Sequence, residues 1–131
     1  MRFTEHELTA ALHGAAKNML AVQDKEVRKG RRTEDEAWEA LGKYQRFQLL
    51  DGLGAQLLPV LVALPDVEVT VGERPRFTEE QIRTAVEERL GEEKGLRRKA
   101  LLTARIALVK LALECVPPRQ DPDALIVPDH L

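Results

Sequence analysis

Three histidines, a single cysteine and two runs of cations are the residues of this 131-residue chain whose chemistry could extend beyond packing. At 100° per residue His6 and His13 fall on one helical stripe with Lys17 and Asp24, opposite Leu8, Leu12 and Met19, so both are expected to face solvent. Seven residues of helix separate them by about 10 Å, too far to share one metal ion. The spacing fits neither a His-Glu-x-x-His zinc motif nor the Glu-x-x-His motif of di-iron bundles. His130 stands one residue from the end of the sequence, with no partner set around it.

Cys115 sits in the last, apolar turn of a long helical segment, where a thiol packs and stays inert. A lone cysteine forms no internal disulfide and no multi-cysteine metal centre. The acid pairs Glu79-Glu80, Glu87-Glu88 and Glu92-Glu93 read as helix starts and solvated faces, since a working pair would need burial and a perturbed pKa. Gly52-x-Gly54 lacks the third glycine of a phosphate loop and does not follow a strand. The chain contains no serine, which removes every serine nucleophile. No catalytic residue, metal ligand or cofactor site is therefore expected, and the chain reads as a non-enzyme.

The two cation clusters carry more weight. Lys25, Arg28, Lys29, Arg31 and Arg32 form one; Arg97, Arg98 and Lys99, followed by Arg105, form the other. Such densities could contact phosphate backbone. Against that stand a net charge of −2 and no aromatic side chain in either cluster on which a base could stack. The first cluster also follows a helix C-terminus, where cations complement the macrodipole. Nucleic-acid binding is accordingly the second reading of function.

The segments that position these residues are marked by caps. Thr4 with Glu7, Thr33 with Glu36 and Thr78 with Gln81 are capping boxes; Phe3 with Leu8 and Phe77 with Ile82 are the matching hydrophobic staples. They predict a first helix over about 5–29 with the stripe Leu8, Leu12, Ala15, Met19 and Val22. A second helix from Thr33 buries Ala37, Leu41 and Tyr44, with Trp38 on its flank and a Glu39–Lys43 pair outside. It is expected to break at Gly52 and Gly54, where the apolar face rotates, before a short apolar helix over 55–64 stopped by Pro65. A third, over about 79–90, buries Ile82, Ala85, Val86 and Leu90. A fourth, over about 96–116, ends at Pro117-Pro118. Arg76-Phe77-Thr78-Glu79 repeats Arg2-Phe3-Thr4-Glu5, which a recurrent helix start explains better than duplication.

Residues 67–71 alternate as Val-Glu-Val-Thr-Val, a strand pattern whose natural partner is Ala124–Val127 or the same strand of a second copy. The expected fold is thus mainly α: four to five helices over 1–116 with a strand-like insert at 66–71, a minor two-stranded β element (67–71 with 124–127), and an extended Pro-rich tail over 117–131. Net charge runs +3 over 1–32, −3 over 33–64, −3 over 65–91, +3 over 92–116 and −2 over 117–131. Basic outer helices can therefore neutralise acidic inner ones.

Hydrophobic residues make up 44% and charged residues 32%, the balance of a globular chain. No apolar run approaches the roughly 20 residues of a membrane span, no basic-then-apolar leader follows Met1, and a cytoplasmic setting without membrane contact is expected. What remains is an apolar surplus. From Ala100 to Val116 only Thr103, Arg105, Lys110 and Glu114 are polar, and Leu57–Leu64 is apolar on nearly all sides. A surplus of that kind marks an interface. The first reading of function is a non-catalytic interaction or accessory module, self-associating as a homodimer or docking on a larger protein. Leu57, Leu58, Leu61, Leu101, Leu108, Leu111, Leu125 and Ile126 are its candidate contacts. A small-molecule-binding domain or enzyme ranks third.

Overall fold

A computed structural model describes residues 1–120. Among these the chain is mainly helical: α1 (Glu5–Gln23), α2 (Lys25–Arg28), α3 (Glu34–Ala40), α4 (Lys43–Ala63), α5 (Glu79–Glu87) and α6 (Gly95–Glu114). The three capping boxes are formed as their sequences dictate. Thr4 Oγ1 accepts from the Glu7 N–H while Glu7 Oε1 accepts from the Thr4 N–H, and the Thr33/Glu36 and Thr78/Gln81 pairs do the same for α3 and α5. Each satisfies helix-start donors that would otherwise have no intrahelical partner.

α1 lies at the centre, against α3, α4 and α6, and α5 closes the bundle against α4 and α6. Three neighbours around one helix require small residues. The buried face of α1 is accordingly Ala11, Ala15 and Ala16, whereas Leu8, Leu12 and Met19 are half-buried and Val22 is exposed. Of the expected stripe only Ala15 is fully buried; the buried face is turned toward Ala11 and Ala16 beside it, which lets the backbones approach. α5 buries Ile82, Ala85 and Val86, and Leu90 just beyond it is buried too, as its pattern predicts.

Two helix boundaries differ from expectation. α1 stops at Gln23, and Asp24, in extended conformation, turns its Oδ1 to the N–H groups of Glu26 and Val27 to start the short α2. The second break falls at Leu41-Gly42, where Gln45 Oε1 accepts the Gly42 N–H at 2.9 Å to open α4. α4 then continues unbroken through Gly52, Gly54 and Pro59 to Ala63. Its phase is no longer that of α3, so Tyr44 is 71% exposed rather than buried. Glu39, severed from Lys43, instead pairs with Arg46 at 3.8 Å. Gly54 is buried against Leu12, while an added Cβ at Gly52 would meet nothing within 4 Å. Gly52→Ala is therefore expected to stabilise the chain by about 0.5–1 kcal/mol, read from chemical unfolding, because it removes backbone entropy at no steric cost. A loss of stability would mean that α4 does break there.

No strand forms among the described residues, so the minor β element fails on its first member; Ala124–Val127 lie outside them. Residues 65–70 form no regular element, with Val67 and Val69 half-buried, and lead into a turn closed by the Glu73 N–H on the Thr70 carbonyl (2.9 Å). Gly72 takes φ 87° at that turn, a conformation open to glycine. The chain after α6 does return to this loop: the Gly72 N–H donates to the Arg119 carbonyl and the Arg119 N–H to the Glu73 carbonyl, both at 2.8 Å. Two residues opposing one in this way is the bonding of a glycine bulge, here without a ladder on either side.

Candidate functional site

Contacts between α1 and the last helix fix the direction of both. Glu7 meets Arg119, Gly14 lies against Cys115, and Met19 shares a hollow with Leu101, Leu108 and Leu111. Moving forward along α1 moves backward along α6, so the two helices are antiparallel.

The most buried charged side chain among the described residues is Glu7, whose residue is 3% exposed. Arg119 grips its carboxylate with both arms of the guanidinium, Nε to Oε2 and Nη2 to Oε1, each at 3.0 Å. Burial by itself would raise this carboxyl's pKa. The Thr4 N–H and the two Arg119 bonds outweigh that effect and hold it below the ordinary glutamate range. The pair went unseen in the sequence because Glu7 is fully accounted for as a capping residue. The available signal was that Arg119 is the only cation after Pro117.

Charge between segments is otherwise neutralised as the segment totals predict. Lys17 of α1 pairs with Asp35 of α3 at 3.0 Å, and Lys110 of α6 with Glu79 of α5 at 2.8 Å, which holds the Glu79 carboxyl below its usual value.

His6 is exposed, but His13 is not the solvated side chain its stripe implied: it is half-buried with its ring edge-on to Trp38, centroids 6.0 Å apart. α3 folding back over α1 covers that stripe. Cys115 is half-buried beside Asn18, whose Nδ2 lies 3.8 Å from Sγ. Burial, with Glu114 and Glu34 nearby, pushes the thiol pKa up and keeps it protonated. No three His, Cys, Asp or Glu side chains among the described residues gather to hold a metal ion.

The apolar candidates divide. Leu57 and Leu61, each 1% exposed, are consumed by the core of the single chain and offer nothing to a partner. Leu58 is half-buried and lines an open hollow of about 520 Å³ with Leu12, Phe47, Leu50 and Pro59. Leu101, Leu108 and Leu111, all half-buried, line a second of about 480 Å³, shared with Met19, Ala104 and Arg105. A wider groove of about 790 Å³ runs over Pro75, Phe77, Ile82 and Leu113, with the Lys110–Glu79 pair among its walls. Leu125 and Ile126 lie outside the described residues.

The cation candidates divide as well. Arg31 pairs with Glu26 and Arg32 with Asp24, both at 3.7 Å; Arg97 pairs with Glu93 at 3.3 Å, and Arg98 donates to the Gly91 and Glu93 carbonyls. Lys25, Arg28, Lys29 and Lys99 are exposed and make no ion pair with a described residue, and so is Lys94, which belongs to the second cluster in space.

No protein-family model matches this chain, and neither a curated protein nor a solved structure does. No helix among the described residues is long and apolar enough to cross a membrane.

Proposed function

We propose that this chain is a non-catalytic interaction module that self-associates through the outer face of α6. The observation that carries the reading is the open hollow over Leu101, Ala104, Leu108 and Leu111. These residues recur every three to four positions along one side of a helix whose other side, Ile106, Val109 and Ala112, is already buried in the bundle. A helix apolar on two sides has one side left for a partner. Ala104 and Ala107 keep the exposed side low enough for a second helix to approach. A second copy of the chain is the simplest partner, since a two-fold axis brings identical faces together.

Light scattering during size-exclusion chromatography of the full chain is expected to give twice the chain mass. Leu108→Glu should lower that association at least tenfold, because a carboxylate would be desolvated in the contact. Ala104→Glu is the cleaner variant: Ala104 is exposed in the single chain, so its replacement should abolish the dimer while the helical circular dichroism stays unchanged. A monomer at all concentrations, or a dimer that survives Ala104→Glu, would overturn the proposal.

A further inference from the structure

The antiparallel packing of α1 on α6 has a second result, independent of self-association. α2 begins directly beyond the end of α1, and the N-terminal turns of α6 point the same way, running on past the level of Gln23 because Cys115 already stands opposite Gly14, so two cation clusters separated by more than sixty residues of sequence face the same end of the bundle. Segments 24–32 and 92–99 together carry nine Lys and Arg against four Asp and Glu. Three of those acids are taken up by Arg31, Arg32 and Arg97. What projects outward is Lys25, Arg28 and Lys29 on one ridge and Lys94 and Lys99 on the other, all exposed and without a carboxylate partner among the described residues.

We propose that this end of the bundle is one composite site for the phosphate backbone of a nucleic acid. Each ridge alone is a minor electrostatic feature of an acidic chain; together they supply five unpaired cations at one end of the bundle, enough for the counterion-release term that dominates backbone binding. Aromatic side chains are absent from both segments, so bases are not stacked or read, and binding is independent of sequence. Leu96, 85% exposed among these cations, is the one large apolar side chain there, and burying it would yield only about 2 kcal/mol, too little to hold a bilayer.

The test is fluorescence anisotropy of the full chain with a short mixed-sequence duplex DNA and a single-stranded RNA across a salt series. Vesicles of phosphatidylserine and phosphatidylcholine serve as the competing surface. Binding at low salt should weaken steeply as salt rises, with a log–log slope on the order of −3 to −5. Lys25→Gln/Arg28→Gln/Lys29→Gln and Lys94→Gln/Lys99→Gln should each lower affinity at least tenfold, because both ridges serve one site. Lys29→Glu alone provides the same reading from a single exposed position. The proposal fails if nucleic acid does not bind at low salt, if binding ignores salt, if either ridge can be neutralised without loss, or if only the anionic vesicles retain the chain.

Discussion

Arg119→Ala is expected to destabilise the chain by about 3 kcal/mol in urea unfolding, although Arg119 lies in the last few described residues. Removing one partner of a buried ion pair leaves the other charge desolvated, at a typical cost of about 3–5 kcal/mol. The low end applies because the Arg119 side chain is 25% exposed, so water already reaches the pair, whereas the Glu7 side chain is only 4% exposed. Glu7→Gln separates the pair from the cap. Gln81 shows in α5 that a glutamine Oε1 serves a capping box as well as glutamate does. The helix start should therefore survive Glu7→Gln, and the double variant Glu7→Gln/Arg119→Ala should be more stable than Arg119→Ala alone. The sign of the pH dependence follows from the lowered Glu7 pKa. The pair contributes fully above the unfolded value of about 4.3 and is lost as pH falls through the folded one. The stability gap between the parent chain and Glu7→Gln should thus be complete at neutral pH and close in acid. A gap that is flat down to pH about 3 would show that the carboxylate is not engaged as described.

Gly14→Ala should cost about 1–3 kcal/mol, against the usual gain of roughly 1 kcal/mol for alanine over glycine in a helix interior. A Cβ at Gly14 would stand 2.5 Å from both Cβ and Sγ of Cys115; Sγ can swing aside about χ1, but Cβ is fixed to the backbone and cannot. The methyl group can enter only if α1 and the end of α6 separate, and that movement would also strain the Glu7–Arg119 pair one to two turns away. Gly14→Ala/Cys115→Gly removes both obstructing atoms and should recover most of the loss. The double-mutant cycle is the measurement, and a Gly14→Ala variant as stable as its parent would refute the close approach.

These two contacts mark the limit of what could be read from the residues. Most of the local helix signals were legible. Thr4, Thr33 and Thr78 announced three helix starts, Pro117-Pro118 announced the end of α6, and the 82/85/86/90 spacing announced the buried side of α5. Contacts between distant segments were not, because each participant had a sufficient local explanation. Glu7 was a cap, Gly14 an unremarked glycine within a helix, and Leu57 and Leu61 a surplus rather than a core. The displaced face of α1 has the same origin: periodicity reports that one side is apolar, but how closely three neighbours pack decides whether leucine or alanine lies at the centre. The missed break at Gly42 was legible in principle from Gly42 and Gln45, an N-cap glycine with glutamine at the third helical position, but the Gly52/Gly54 pair drew attention from it. Of the candidate surfaces, residue types alone gave the α6 stripe and both cation runs. That the runs share one end required the direction of α1 relative to α6.

The bond between Glu7 and Arg119 spans 112 positions of sequence. Synthesis runs N-terminus first, so within this bundle α1 emerges before the other helices and is the last to be completed. Its cap can form at once, but its alanine face has no cover on the α6 side until Ile106, Val109 and Ala112 emerge, and Glu7 has no counterion until Arg119 does. At 5–20 residues per second that interval lasts roughly 5–20 s. Throughout it the nascent chain carries a half-dressed central helix, so the emergence of the segment through Arg119, rather than the appearance of the first helices, sets when this bundle can close.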